Sequence, residues 1–444
     1  MSHKNPRESG KVMETEKKSN QSGFTTGGMH AHYTLAVCFL LFVMYFVNWY
    51  MFGVVLEPMK MDLGLTDGQA GAIQTGFLLC VAAFSFPISF MVDRWSRRKA
   101  ITVMAIFWSV FMFITGSGNS FLGVLAPRIM VGIGLAGFSG ASAALVSAVY
   151  HQKLRGRVMG IFNASIPIGA VIGVMLGGYI SANHGGWRVP FYVFAIPGII
   201  LSVFAYFMKD YKTIEHTDEC GVRMGFFSTA KTLFKIRSLK WVFIGYGLQD
   251  VMAFTFVIWA PAFLMRSQGI PEDKAGMTVG IIGVMAIIGA PLGGILSDLW
   301  QKKNRRGRML IPAITIPIGA VMMALAMTFE LKGIGLVFGI LYGVIAIMGV
   351  PALSSVTQDV VSPGLKAASW GMSVFCMYAI FGAWAPAFVG FISDSLGGGA
   401  AGLKIAIIAA ASGGILAGIC YLLGARHYPS DLDKVKDVVF QSEC

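Results

Sequence analysis

Apolar residues in this chain come in runs of about twenty, separated by short polar gaps, and that repetition limits the fold more than any other feature. Crossing some 30 Å of hydrocarbon takes about 20 residues of helix at roughly 1.5 Å each. Runs of that kind occupy approximately 33–57, 68–92, 99–116, 121–150, 157–181, 187–209, 241–265, 275–299, 308–329, 334–357, 366–393 and 402–425. Inside hydrocarbon every backbone N–H and C=O must find a partner within its own segment, so such runs become helices. The expected fold class is therefore all-α integral membrane with 12 transmembrane helices. Composition agrees: 55% of residues are hydrophobic and 13% are charged, about half of what a soluble domain carries. The 55 glycines suit close helix approach, and the 26 methionines read as core or lipid-facing filler.

Lys and Arg set the expected orientation. With the N-terminus taken as cytoplasmic, 28 of the 35 fall in the termini and cytoplasmic loops and six at outer ends (Lys60, Arg188, Arg266, Lys274, Lys332, Lys404), with Arg128 inside a span. Both termini are thus expected in the cytoplasm of a multi-pass protein of the cell inner membrane. The net charge of +13 is a topology signal with a secondary attraction to lipid headgroups, and no nucleic-acid partner is expected. The first 30 residues carry no apolar core with a cleavage site, so no cleaved signal peptide is expected. The domain reading is a tail at 1–32, a six-helix half at 33–209, a central cytoplasmic loop at 210–240, a second six-helix half at 241–425 and a tail at 426–444.

Chemistry-bearing motifs are absent. The six cysteines form no close pairs, so neither a disulfide framework nor a metal site is indicated. No phosphate-binding Gly-x-x-x-x-Gly-Lys loop and no nucleophile–base set is found, so no cofactor and no enzyme activity are expected. None of the seven histidines lies within the interior of a span, which argues against a histidine proton relay.

The halves repeat. The second run ends in Met91-Val92-Asp93-Arg94-Trp95-Ser96-Arg97-Arg98-Lys99, and the eighth in Leu296-Ser297-Asp298-Leu299-Trp300, followed by Lys302, Lys303, Arg305, Arg306 and Arg308. The two aspartates are 205 residues apart, close to the spacing between the first and seventh runs. An Asp-Arg step with a basic cluster, echoed in the other half, resembles the hallmark loop of the major facilitator superfamily. Ser89 and Ser96 stand where its glycines would be, while the second copy keeps Gly294. The resemblance covers roughly 33–425. It leans toward the Spinster-like and sugar-acid (anion:cation symporter) branches on Trp259-Ala260-Pro261-Ala262-Phe263-Leu264, Gly293-Gly294-Ile295-Leu296-Ser297-Asp298 and Arg128-Ile129-Met130-Val131-Gly132-Ile133-Gly134. It implies two halves that alternate access to a central site, and a conformational latch made by Asp93, Arg94, Arg97, Arg98 and Asp298. A basic loop that only sets topology is the plainer account of the same residues.

The sequence departs from those relatives where they carry protons. Span one reads Asn48-Trp49-Tyr50-Met51-Phe52 where they often have Asn-Tyr-x-Asp-Arg, and Gly134-Leu135-Ala136 stands where Gly-Glu-Ala is usual. Span five has Gly169, Gly173, Gly177 and Gly178, but Val174 replaces the proline of the drug-antiporter pattern, which leaves close packing as the explanation.

An ionisable group deep in a span costs several kcal/mol, about 2.5 or more, unless paired or lining a cavity. Arg128 and Asp250 are the two clear cases, one in each half. Arg128 is the expected anchor for an anionic substrate, by bidentate contact, or a support for coupling; the alternative is an arginine that bonds backbone carbonyls and locks span four to span one. Asp250 is the expected carrier of a proton or cation; the alternative is an aspartate bonding a broken helix near Gly245 and Gly247. Asn48, Tyr50, Gln74, Asn163, Gln249, Trp259, Tyr378 and Trp384 are the further candidate substrate-binding residues. Glu57, before Pro58, reads as an exposed helix end, and Glu330 and Asp359 as span ends.

The expected function is a monomeric secondary active transporter that takes up a small organic anion, a carboxylate or sugar acid, by symport with H+ or Na+. An exporter of amphipathic or lysolipid-like molecules is the alternative, and a non-transporting sensor of the same fold a third.

Overall fold

A computed structural model describes residues 28–150, 154–209, 226–361 and 366–441. Twelve helices among these residues are long and apolar enough to cross a membrane, as expected from the runs. The first half holds span one (Met29–Leu63), span two (Asp67–Arg94), span three (Arg97–Gly116), span four in two pieces (Phe121–Leu135 and Phe138–Val149), span five in two (Arg155–Asn163 and Ser165–Asn183) and span six (Arg188–Tyr206). A short helix, Phe226–Lys235, precedes the second half. There, span seven is Arg237–Gln268, span eight is Glu272–Val284 with Ala286–Lys303, and span nine is Gly307–Thr328. Span ten is Ile334–Ile345 with Gly349–Asp359, span eleven starts at Lys366 and ends in Ala385–Ser395, and span twelve is Ala400–Gln441.

Local chemistry explains the ends. Thr66 starts span two with a capping box, its hydroxyl taking the Gln69 amide at 3.2 Å while the Gln69 side chain takes the Thr66 amide at 3.0 Å. Ser96 and Ser120 cap spans three and four in the same single-residue way. Gly64 and Gly269, both left-handed, close spans one and seven. Span twelve continues as one helix past position 425, because its extension is anchored: Asp431 accepts the backbone N–H of Ser238 at 2.9 Å and Tyr428 is fully buried.

Large apolar side chains point outward as well as inward. Val103, Ile106, Val110 and Phe113 on span three, and Ile196, Ile200, Val203 and Phe204 on span six, are all at least a third exposed and recur at helical spacing. A surface of that kind belongs against lipid.

Several spans are interrupted, and apart from the break of span eight at Met285 the interruptions pair across the repeat. Span four breaks at Ala136–Gly137, where Gly137 has φ 81°, and span ten breaks at 346–348. Span five breaks at Ala164, and span eleven passes through a π turn at Met377–Phe381 and a 3-10 turn at Gly382–Trp384. Discontinuous helices in matching positions of the two halves mark the interior of many alternating-access transporters.

Candidate functional site

With an even number of spans, both described chain ends lie at one end of the bundle, called here the basic end after its Lys and Arg loops. The opposite end is closed, and the closure is made by charges from both halves. Arg266 of span seven donates Nε to Glu57 Oε1 at 2.8 Å and Nη2 to Glu57 Oε2 at 2.6 Å. The same guanidinium donates to both oxygens of Asp67 at 2.7 Å and to the Gly398 carbonyl at 3.0 Å. Lys60 pairs with Asp67 at 2.6 Å, and Ser393 donates to it at 2.6 Å. Asp394 of span eleven accepts the first amides of span two, Asp67 N–H at 2.9 Å and Gly68 N–H at 2.7 Å. A carboxylate at a helix N-terminus is favoured by the orphan amides and the helix dipole. Glu57 is therefore no exposed helix end: it is 7% exposed, because span one runs on through Pro58 to Leu63 and carries it into the bundle.

Glycines fit the halves together beside this cluster. A Cβ on Gly71 would drive into the Pro386 carbonyl, and one on Gly390 into the Asp67 carbonyl, so spans two and eleven meet backbone to backbone. Spans five and eight do the same at Gly276, where a Cβ would lie 2.5 Å from the Val174 carbonyl. Among the described residues, the hydrogen bonds joining the two halves are those of this cluster and one slightly deeper, Ala387 N–H to Thr75 Oγ1 at 3.2 Å. The basic end is tied differently. Arg308 binds Asp298 at 2.8 Å and Asp359 at 2.6 Å, and Tyr428 donates to Asp359 at 2.8 Å, all within the second half. Arg98 donates to the Met208 carbonyl at 3.3 Å and lies over the Tyr206 ring, within the first half; Arg97 starts span three beside it. Of the expected latch, the side chains of Asp93 and Arg94 lie outside the described residues, and Asp298 braces spans eight to twelve without reaching across.

Between the ends lies an aromatic layer. Trp49 of span one, Phe254 of span seven and Tyr378 of span eleven form a triangle of rings with centroids 5.6–5.9 Å apart, and Phe77 of span two adds to Trp49 at 5.3 Å. This is the deepest aromatic contact between the halves. Arg128 sits behind it in the first half, 0% exposed. Its guanidinium donates to Asn48 Oδ1, to the Asn48 carbonyl at 3.2 Å and to Gln74 Oε1 at 3.3 Å, and it lies 4.4 Å from the Phe77 centroid and 4.7 Å from that of Phe52. Amide oxygens and ring faces thus stand in for a counter-ion, and Nε alone is without a partner. Span four is fastened to span one, the alternative account of this arginine.

Asp250 lies one turn from Phe254 toward the basic end, half-buried, with no hydrogen bond or ion pair among the described residues. Span seven is unbroken at Gly245 and Gly247, which pack on Tyr421 and Phe381, so no frayed backbone is there for the carboxylate to satisfy. Tyr50, Tyr246, Tyr342, Tyr378 and Tyr421, from five different spans, lie within electrostatic reach of it.

The other expected residues divide. Tyr50 and Tyr378 join Asp250, and Gln249 beside it accepts the Tyr421 hydroxyl at 2.9 Å. Asn48 and Gln74 serve Arg128. Trp259 is buried and its indole donates to the Pro386 carbonyl at 3.1 Å, fixing span seven to span eleven. Asn163 is exposed at the break of span five, and Trp384 is 52% exposed with its N–H on the Ala379 carbonyl at 3.2 Å; neither is brought to the centre. The Glu57–Asp67–Arg266 cluster went unread in the sequence, since each member looks like an ordinary span end; an acid continuing a helix through Glu57-Pro58 was its one local signal.

A family model described as Major Facilitator Superfamily matches residues 38–386. An efflux pump of that type from Mycolicibacterium smegmatis is 24% identical over 423 residues, 91% of this chain and 95% of the relative. A hexuronate transporter of Bacillus subtilis is 24% identical over 353 residues, 76% of this chain and 82% of its own. Spinster proteins are also among the relatives. A crystal structure of a bacterial homologue of the human lysosomal transporter Spinster, inward-facing and unoccupied, superposes with a TM-score of 0.82 at 20% identity, covering 91% of this chain and 99% of that one.

Proposed function

The chain belongs to the Major Facilitator Superfamily, and on that premise we propose that it is an ion-coupled secondary active transporter that moves an amphipathic organic solute by alternating access. Asp250 is the carboxylate that binds the coupling ion, H+ or Na+. The observation that carries this reading is the contrast in how the intramembrane charges are served: both Nη groups of Arg128 are hydrogen-bonded and the guanidinium is shut behind Phe77, whereas Asp250 has nothing among the described residues to neutralise it. An unpaired carboxylate at membrane depth needs a proton or a cation. The asymmetry of Lys and Arg supports both termini in the cytoplasm of the cell inner membrane, so that the closed end is the outer one and the site opens inward. The chain acts as a monomer surrounded by lipid.

A small organic anion such as a hexuronate is the second reading, favoured by the unpartnered Nε of Arg128 and by the sugar-acid relatives. It requires span one to swing Asn48 away and expose the guanidinium. Purified protein screened by thermal shift against sugar acids, lysolipids and alkylammonium ions, then assayed in liposomes under an imposed pH or Na+ gradient, separates the two. Gradient-driven flux of an amphipathic compound, abolished in Asp250→Asn, is expected. Flux unaffected in Asp250→Asn overturns the coupling role, and stabilisation by sugar acids alone, lost in Arg128→Gln, moves the assignment to anions.

A further inference from the structure

We infer that the Asp250 carboxylate and the aromatic side chains near it recognise an organic ammonium group, so that substrate and coupling ion compete for one carboxylate and the transporter runs as an exchanger. This rests on the proposed transport reading and adds the charge of the substrate and the sense of coupling.

The charge inventory is the first argument. Among the described residues, Arg128 and Asp250 are the ionisable acid or base side chains at the depth of the aromatic layer, and they do not pair. Arg128 is wrapped, so the ionisable group left without a partner at this depth, among the described residues, is the acid Asp250. An anion entering there meets repulsion, while a cation gains a charge-assisted contact that no protein group now makes.

The walls are the second. Hydroxyls of Tyr246 and Tyr421 are engaged by the Val350 carbonyl and Gln249. Those of Tyr50, Tyr342 and Tyr378 have no partner among the described residues, and their oxygens can accept from an ammonium N–H. The rings of Trp49, Phe254 and Tyr378 meet about one turn of span seven from Asp250 on the closed side, and aromatic rings attract cations through their quadrupoles.

Backbone geometry is the third. The π turn Met377–Phe381 lies directly against Asp250: a Cβ on Gly382, its C-terminal neighbour, would come within 3.0 Å of the Asp250 Cβ. A π turn gives up regular helix geometry and recurs at functional sites; here the wide turn carries Tyr378 and faces the carboxylate.

Exchange follows from occupancy. One carboxylate neutralises one positive charge, so a proton and an ammonium group exclude each other, and an inward proton gradient drives the cation out. The titratable groups within electrostatic reach of Asp250 are Tyr50 of span one, Tyr246 of span seven, Tyr342 of span ten, Tyr378 of span eleven and Tyr421 of span twelve.

The test is calorimetric binding of decylammonium and of glucuronate to the full-length protein in detergent, from pH 5 to 8. The ammonium probe is expected to bind, to weaken about 10- to 100-fold in Asp250→Asn, the loss of one charge-assisted contact, and to stay within a few-fold in Asp250→Glu. Tyr378→Leu weakens it several-fold through loss of a ring face, and wild-type affinity falls as pH is lowered. Monodisperse elution of each variant excludes misfolding, and the Glu and Leu variants keep the test decisive if the Asn variant fails to fold. Equal affinity in Asp250→Asn, or affinity independent of pH, overturns the inference. In liposomes, Asp250-dependent, pH-driven flux of a compound without a cationic group, with no ammonium binding, removes this inference and leaves the transport reading standing. Ammonium binding that needs Asp250, with no gradient-driven flux, keeps the recognition of the cation and overturns the transport reading together with the exchange that rests on it.

Discussion

The closed end and the centre of this protein handle buried acids in opposite ways. At the closed end Glu57 and Asp67, 7% and 0% exposed, are met by Arg266, Lys60 and Ser393, so their carboxylate oxygens are well supplied with donors. At the centre Asp250 has tyrosines within electrostatic reach and no counter-ion among the described residues. Burying a charge is tolerable when a partner is buried with it; a charge left alone must shed itself by protonation or collect a ligand. The first arrangement holds a conformation, the second waits for something to arrive. That difference separates a gate from a site more sharply than depth or position does.

The comparison can be broken most directly at Arg266. Arg266→Met takes away both donors of Glu57 and leaves Asp67 to Lys60 and Ser393, and should destabilise the closed arrangement by about 3–5 kcal/mol, the usual penalty for removing one member of a buried pair. Spin labels at Asp62 and Ser395, on opposite halves at that end, should report a longer distance by double electron–electron resonance; an unchanged distance would show that the ion cluster does not hold the gate. Removing Arg128 tests whether dipoles and rings suffice for a buried cation. Arg128→Gln gives up charge-assisted hydrogen bonds to Asn48 and Gln74 and two ring contacts, a loss of about 2 kcal/mol read as a lower unfolding midpoint. Asp250→Asn should move the other way, a gain of about 1 kcal/mol, because it removes an uncompensated charge from the interior while keeping its shape. A lower midpoint would mean that Asp250 already has a structural partner. That gain should vanish in acid, where the wild-type carboxyl is protonated and also neutral, and grow as pH rises. The smallest effect belongs to Lys404→Gln, whose pairing with Glu330 at 3.1 Å is half in solvent and should change stability by less than about 0.5 kcal/mol.

Much of the architecture was legible because hydrocarbon leaves the backbone so few choices. Twelve apolar runs gave twelve helices with ends shifted by a few residues. The breaks were harder: Gly137, the π turn at Met377–Phe381 and the kink at Met285 look locally like any apolar stretch, and only packing against neighbours distinguishes them. Intramembrane charge singled out Arg128 and Asp250 at once, but their fates depended on what lay opposite. Asn48 and Gln74 are 80 and 54 residues away from Arg128, and no periodicity announces that they meet. The gate was least visible. Arg266 counted as one of the few outer cations and Glu57 as an exposed end, yet 209 residues apart they form a two-pronged ion pair between the halves. A charge at a span end carries the same letters whether it faces water or another charge.

The glycine contacts at the closed end have a consequence for motion. Where Gly71 meets Pro386 and Gly390 meets Asp67, main chain rests on main chain, with no side chain interleaved. Interlocked side chains must change rotamers to come apart and must find them again to return. Bare backbone has no such memory: it parts and re-seats in a single register, with little friction along the way. Strength and alignment are thus vested in different atoms, the ions fixing how firmly the end stays shut and the glycines fixing where it lands. A transporter that repeats this movement at every turnover can therefore have the energy of its gate retuned by changing one charge, without disturbing the fit to which it returns.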